Sequence, residues 1–308
     1  MTGRAGAPVA LRRARPLLGT VVEIGLCWPV GVANGTGRVA GQADSSNHAG
    51  GAANGASLPA DVASAALEAG FAAIHHAQAC LSRFDPASDL SLFHALPVGQ
   101  RLAVRPATGQ VLAAAQALRL ASDGLFDISL GSAPAGWWLD GPWLEKRDSA
   151  VRLDLGGIGK GHAVDLAVQA LQQHGAVAGW VNAGGDLRAF GDLDLPVQLR
   201  QAGGGVRTFA HLRDGAFATS AFGPGQRSSL AGRGGNRFEG SAAARPGRSW
   251  RSSRAGQCAT ADTAHVSVAA PLCIWADALT KLVAASGNPA HALLAQHGAS
   301  AWWHGMPP

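Results

Sequence analysis

The feature that most constrains this chain is a glycine-rich corner at residues 156–161, where four of six residues are glycine. The residues before it, 151–155, are predicted to form a strand. After it, Val164, Val168 and Leu171 recur at helical spacing, and Gly175 follows the predicted end of the helix. The sequence therefore predicts a strand, a tight turn and a helix in succession.

Such a corner can bind a phosphate. Glycines let the backbone approach the ligand, and the start of the following helix presents unpaired N–H groups to negative charge. Lys160 adds a cation. A P-loop needs Ser or Thr after its Gly-Lys pair, where Gly161 stands, and the dinucleotide fingerprint needs a third glycine where His162 stands. A sharp corner without a ligand explains the glycines equally well, so both interpretations stay open.

Two aspartates flank the corner. Asp154 stands at the end of the predicted strand, and Asp165 lies about one helical turn past the corner. Either carboxylate could accept a hydrogen bond from a ribose or a base. The alternatives are a charge partner for the helix N-terminus at Asp154 and a solvated helix residue at Asp165.

A second candidate segment is 182–186. Gly184 and Gly185 allow a ligand to lie directly against the backbone at a strand end, and Asp186 supplies an acceptor. A β-bulge that ends in a turn aspartate is the alternative.

A third candidate is the pair Asp277 and Thr280. The two residues stand three positions apart on a predicted helix and so share one face, which offers a carboxylate and a hydroxyl to a hard cation. Mg²⁺ that arrives with a nucleotide needs few protein ligands. A helical Asp and Thr on a solvated surface would look the same.

Composition favours a globular α/β or α+β body, with 47% apolar and 15% charged residues over 308 positions. The predicted loops at 30–57 and 223–256 interrupt this body. The strand predictions are 17–26, 179–189 broken by its two glycines, 195–199 with 206–212 as an antiparallel pair, and 265–270. Besides the helix after the corner, helices are predicted from near Pro59 to before Asp85, around 111–118, from about Ala276, and from Asn288 to before Gly298.

Other classes of protein are less compatible with this sequence. No apolar run reaches the roughly 18 residues that cross a bilayer, and residues 1–15 are basic without an apolar segment. We therefore expect no stable membrane insertion and a cytoplasmic location by default, or a periplasmic one if the true N-terminus differs. The arginine-rich stretch 227–254 is best explained as a solvated loop, so no nucleic-acid partner is expected.

Taken in order, the motifs resemble those of the flavin transferases of the ApbE family (FAD:protein FMN transferases). The resemblance covers most of the chain outside the two loops. It is carried by 18–20 (LGT), 82–86 (SRFDP), 88–91 (SDLS), 123–127 (DGLFD), 154–161 (DLGGIGKG), 181–186 (VNAGGD) and 276–279 (ADAL).

The resemblance implies a single mixed α+β domain over 1–308, with largely antiparallel sheets packed against helices. It also implies a magnesium-dependent enzyme that cleaves FAD and attaches FMN to a threonine of an acceptor protein through a phosphoester bond. The catalytic base is not assigned. The implied metal ligands are Asp277, Thr280 and the carbonyl of Gly157. The implied FAD-binding residues are Leu18, Phe84, Asp127, Asp154, Lys160, Asp165, Gly184, Gly185 and Asp186.

Two departures from the family pattern bear on activity. The family usually carries a His-x-x-x-Pro-x-Thr-Gly segment before its final strands, and residues 240–248 here have neither the histidine nor the Thr-Gly. In many members the metal-binding hydroxyl stands four residues after the aspartate, where this chain has Lys281; Thr280 stands one residue earlier and still on the same helical face, a shift that the geometry could absorb. The departure at 240–248 makes a flavin-binding protein of the same fold that has lost transferase activity the alternative prediction.

Overall fold

The computed structural model describes residues 9–27, 60–200, 205–222 and 264–304. The predicted loops at 30–57 and 223–256, the arginine-rich stretch 227–254 and the segment 240–248 lie outside these residues.

A seven-stranded sheet forms the centre of the fold, in the order β1-β2-β6-β7-β10-β11-β12. Every pair of neighbouring strands in it is antiparallel. Its strands are β1 (Val9–Leu17), β2 (Thr20–Cys27), β6 (Gly179–Ala183), β7 (Asp186–Phe190), β10 (Gly215–Phe222), β11 (Ala264–Ala270) and β12 (Ser300–His304).

Two smaller antiparallel sheets and six helices complete the described part of the chain. The small sheets contain β3 (Arg101–Ala103), β4 (Trp137–Asp140) and β5 (Trp143–Lys146), and β8 (Leu195–Arg200) with β9 (Val206–Leu212). The helices are α1 (Ala60–Leu81), α2 (Asp89–Ala95), α3 (Pro106–Ala121), α4 (Gly159–Gln173), α5 (Cys273–Ser286) and α6 (Ala292–Gln296). The predicted α+β class with largely antiparallel sheets is confirmed.

The central sheet is buried on both faces by alternating side chains. Val22, Ile24 and Leu26 of β2 pack with apolar residues of α1 and α4 in one cluster. Cys27 and Phe217 point to the other face and pack with residues of the β8-β9 pair. Helix α4 is therefore held in position by its packing against the sheet and α1.

The structure corrects the prediction of one strand over 17–26. Leu17 ends β1 and Thr20 begins β2, and the two strands form a hairpin. Leu18 and Gly19 form its turn with φ values of 55° and 71°. A left-handed backbone is unusual for a leucine, so the apolar residues at 17–18 gave no sign of a turn and were predicted as part of a strand.

The predicted strand at 151–155 is wrong, because these residues form no ladder with a neighbouring strand. Their amides bond to separate partners instead. The N–H of Leu153 donates to Nε2 of His94 at 2.8 Å, and the N–H of Asp154 donates to the carbonyl of Ile128 at 2.7 Å. The segment is therefore held by helix α2, through His94, and by the loop that contains Ile128.

Helix α5 begins at Cys273, three residues before the predicted start at Ala276. Helix α6 begins later than predicted, because the side chain of Asn288 accepts the N–H of Ala290 in a turn that precedes the helix. The predicted strand 179–189 is broken at Gly184 and Gly185 as expected, and its two parts, β6 and β7, pair as an antiparallel hairpin. The antiparallel pair β8-β9 is confirmed. No helix among the described residues is long and apolar enough to cross a membrane.

Candidate functional site

Three segments that are far apart in the sequence meet at the start of α4. The N–H of Gly161 donates to Oδ2 of Asp277 at 3.2 Å, and the ammonium of Lys160 donates to Oδ2 of Asp186. The turn is shorter than predicted, because α4 begins at Gly159 and Lys160 and Gly161 belong to its first turn. The three candidate segments of the sequence thus lie together in the fold.

Gly161 allows α4 and α5 to approach closely. A Cβ at this position would lie 2.3 Å from the carbonyl oxygen of Cys273 and 2.9 Å from the Cβ of Asp277. No side chain larger than hydrogen fits against that backbone oxygen. The glycine therefore brings Asp277 within hydrogen-bonding distance of the start of α4.

Four charged residues form a group that we call the charge quartet: Asp186, Asp277 and Lys281 are buried, and Lys160 is partly exposed. Lys281 stands one turn after Asp277 on α5, and its ammonium donates to Oδ1 of Asp277 and, at 2.8 Å, to Oγ of Ser220. Two lysines and two aspartates balance in formal charge. Sequence reasoning had not paired Lys281 with Asp277, although their i, i+4 spacing on a helix was a usable signal.

Burial and neighbouring charges shift the pKa values in the quartet. Burial and the negative charge of Asp277 raise the pKa of Asp186 to about 6, against the opposing effect of Lys160. Burial acts to raise the pKa of Asp277, but the charges of Lys281 and Lys160 outweigh it and lower that pKa. Burial likewise acts to lower the pKa of Lys160, and the charges of Asp277 and Asp186 raise it instead. Lys160 is therefore a permanent cation.

Asp165 makes three hydrogen bonds to other parts of the fold. Its Oδ1 accepts the N–H of Cys273 and the guanidinium of Arg188, and its Oδ2 accepts the N–H of Ile274, at 2.7 to 2.9 Å. It therefore caps the N-terminus of α5 from a neighbouring helix. The Asp165 side chain is only 13% exposed, so it is not a solvated helix residue. Its contact with a ribose or a base stays a prediction.

Asp127 and Asp154 hold turns. Asp127 is buried and accepts hydrogen bonds from the N–H and the hydroxyl of Ser129. Asp154 accepts the N–H of Gly156 at 2.7 Å and a guanidinium N–H of Arg83 at 3.0 Å. Asp127 thus fixes a turn, while Asp154 shapes the corner and remains partly exposed beside it. The FAD contact that the resemblance implies for each of them stays a prediction.

Residues from two other turns surround the corner. Gly184 packs against the side chain of Thr20, since a Cβ there would lie 2.5 Å from its Oγ1, so the β1-β2 turn that contains Leu18 meets the β6-β7 turn. The N–H of Gly185 donates to Oδ1 of Asn182 at 3.0 Å. On the Asp154 side, Phe84 is 83% exposed.

The predicted hydroxyl ligand Thr280 is engaged with the protein itself. It donates to the backbone carbonyl of Asp277 at 2.7 Å and shares a hydrogen bond of 2.8 Å with Ser220. Since Lys281 also donates to Ser220, the three side chains form a continuous hydrogen-bonded chain. Thr280 is completely buried in this chain.

These contacts do not fit a divalent cation held by Asp277 and Thr280. Both carboxylate oxygens of Asp277 already accept hydrogen bonds, from Lys281 and from Gly161. An ammonium in contact with the carboxylate repels a second cation, and Mg²⁺ needs oxygen ligands with free lone pairs. Among the described residues, no three His, Cys, Asp or Glu side chains are grouped to hold a metal. The role of the Gly157 carbonyl stays a prediction.

The fold and the site together define an α+β protein in which Asp186 of the antiparallel sheet holds Lys160 in the first turn of helix α4. The ApbE family model matches residues 51–141 and 137–303. The chain therefore belongs to the ApbE family.

Solved structures with the same fold include flavin transferases. The apo flavinyl transferase ApbE of Pseudomonas stutzeri is 18% identical with a TM-score of 0.65, and the alignment covers 98% of this chain and 92% of that one. The flavin transferase ApbE of Vibrio cholerae is 17% identical with a TM-score of 0.67, over 96% and 94% of the two chains. The ApbE protein of Thermotoga maritima is 20% identical with a TM-score of 0.57, over 88% and 85%. No curated protein matches the sequence significantly.

Proposed function

We propose that this protein is an FAD:protein FMN transferase, which cleaves FAD and attaches FMN to a threonine of an acceptor protein. Membership of the ApbE family supports this proposal, as do the flavin transferases among the similar structures.

The observation that carries the proposal is the position of Lys160. Its side chain is 35% exposed, whereas the carboxylate of Asp186 that holds it is 2% exposed. The buried acid therefore fixes an accessible cation in the first turn of α4, where unpaired backbone N–H groups also favour an anion. A pyrophosphate is the part of FAD that such a site would bind.

Neighbouring residues suit the rest of the ligand. The exposed ring of Phe84 can stack on a planar ring system, and a guanidinium carbon of Arg83 lies 4.7 Å from its centroid. Gly184 and Gly185 directly precede Asp186, the partner of Lys160, so the backbone of their turn lies near that cation. Leu18 lies in the adjoining turn between β1 and β2. Asp154 would act by positioning Gly156 and Arg83.

The proposed reaction is a phosphoryl transfer. The threonine oxygen forms a bond to the phosphorus of the FMN half and gives up its proton, while the bond from that phosphorus to the bridging oxygen breaks and AMP leaves with that oxygen. Lys160 would stabilise the charge that develops on the phosphate oxygens. This role needs a fixed cation, which its ion pair with Asp186 supplies.

The test is to incubate the purified protein with FAD and candidate acceptor proteins, and to measure AMP by chromatography and acceptor mass by mass spectrometry. We expect AMP release together with addition of one FMN to a threonine. Parallel reactions in Mg²⁺ and in EDTA test the magnesium dependence that the family resemblance implies. An unmodified acceptor and intact FAD under both conditions would contradict the proposal.

A second candidate is a flavin-binding protein without transferase activity. The observation in its favour is that protein groups already occupy both oxygens of Asp277. It predicts that FAD binds and stays intact, so AMP release would exclude it.

A further inference from the structure

We propose that Lys281 is a built-in counter-ion for Asp277, which takes the place of a divalent cation and lets the site bind FAD without metal. The FAD part of this inference rests on the proposed function. The cation part rests only on the contacts within the charge quartet.

Lys281 is locked against Asp277. Its ammonium has three N–H donors and three oxygen partners, which are Oδ1 of Asp277, the carbonyl of Asp277 at 3.1 Å and Oγ of Ser220 at 2.8 Å. The Lys281 side chain is 7% exposed and that of Asp277 is completely buried. The Lys281 ammonium therefore neutralises Asp277 and has no N–H group left for a ligand.

Charge balance supports the same conclusion. Asp277 lies between Lys281 and the start of α4, and Lys160 pairs with Asp186, so the charge quartet is neutral in formal charge. A divalent ion added beside Asp277 without an anionic ligand would leave two uncompensated positive charges next to buried side chains, which is strongly unfavourable. Removal of Lys281 alone would instead leave a buried carboxylate that attracts a cation.

The hydroxyls of Ser220 and Thr280 belong to the hydrogen-bond network around Lys281. Ser220 accepts a hydrogen bond from Lys281 and shares one with Thr280, and Thr280 donates to the carbonyl of Asp277. The hydroxyl that a metal would need is therefore part of the network that holds the ammonium. Lys281 and Thr280 therefore both donate hydrogen bonds to Asp277 and leave no hydroxyl free for a metal.

The experiment uses Mn²⁺ as the probe for a divalent site. Metal-free wild-type protein is titrated with Mn²⁺, and free Mn²⁺ is followed by electron paramagnetic resonance. We expect wild-type protein and Asp277→Asn to give the same titration, with no site that depends on Asp277. The Lys281→Thr variant should bind one Mn²⁺ at least about tenfold more tightly than wild type, because the opposing unit charge is gone.

Stoichiometric Mn²⁺ binding by the wild type that is lost in Asp277→Asn would overturn the proposal. So would a folded Lys281→Thr variant that binds Mn²⁺ no better than wild type. Should that variant fail to fold, the comparison of wild type with Asp277→Asn still decides. The paired variant Asp277→Asn/Lys281→Met, in which both charges are absent, serves as the control and should bind no Mn²⁺ at this position.

A second readout concerns FAD. Binding of FAD to wild-type protein, followed by quenching of flavin fluorescence, should give the same Kd in EDTA and in Mg²⁺. Binding that appears only with Mg²⁺ would overturn the inference. Failure of FAD to bind under both conditions would instead contradict the proposed function, and the Mn²⁺ titration would still decide the role of Lys281.

Discussion

Replacement of Gly161 by alanine should separate α4 from α5 and destabilise the protein. The added Cβ would lie 2.3 Å from the carbonyl oxygen of Cys273, where comfortable contact needs about 3.5 Å. A backbone oxygen within a helix cannot rotate away, so α5 must move by about 1 Å. That movement would also lengthen the hydrogen bond from Gly161 to Asp277.

The expected net cost is about 3 kcal/mol. Overpacking of a well-filled contact costs roughly 1–3 kcal/mol, and loss of a hydrogen bond to a charged acceptor costs roughly 1.5–3 kcal/mol. The helix preference for alanine over glycine returns up to about 1 kcal/mol. The close contact therefore outweighs the local preference.

Gly159 provides a matched control two positions earlier in the same helix. A Cβ there would lie 3.5 Å from the Cβ of Leu155 and 3.7 Å from Leu81, which is ordinary contact. Gly159→Ala should therefore be neutral or stabilising by up to about 1 kcal/mol. Urea unfolding of both variants and the wild type, compared at equal slope, measures the difference. A Gly161→Ala variant as stable as Gly159→Ala would refute the argument.

Three further predictions concern the aspartates and Lys160. Asp165→Ala should lower the free energy of unfolding by about 2 kcal/mol, because α5 loses its cap and Arg188 its partner, whereas exposed Asp61→Ala should have little effect in the same urea assay. Asp186 has a pKa of about 6, above its ordinary value of 3.8, so the folded state binds its proton more tightly. Its stabilising contribution is therefore complete below pH 3.8 and is lost as the pH rises through about 6. The free energy of unfolding of the wild type minus that of Asp186→Asn should fall over this window by about 3 kcal/mol, and a flat difference would contradict the assignment. Lys160→Met should weaken FAD binding about tenfold in a fluorescence titration, whereas Arg147→Met on the surface should not change it.

The local elements of the site were largely predictable from sequence. Helical spacing after the corner located α4, and paired glycines located the turn between β6 and β7. The start of α5 and the turn at Leu18 were harder to predict. One depends on a cap supplied by Asp165, 108 positions away, and the other on a positive φ in an apolar residue.

Individual roles were less predictable than positions. Asp165 is a candidate ligand contact in sequence because it follows the glycine-rich corner, and Asp127 is one because the family resemblance implies it. In the fold, each carboxylate accepts hydrogen bonds from nearby N–H groups of the scaffold. Whether a carboxylate faces a ligand or an internal donor depends on which backbone amides lie beside it, and the residue type does not reveal that.

The sequence alone determined the class of fold, the corner at the start of α4 and the three segments that meet there. Apolar spacing and glycine preference act over a few residues, so they can be recognised without a structure. Only the tertiary structure decided the charge pairs, because Lys160 meets Asp186 across 26 positions and Gly161 meets Asp277 across 116. Burial makes these pairs matter for metal binding. The Lys281 ammonium lies against Asp277 and neutralises the carboxylate that a metal ion would need as a ligand.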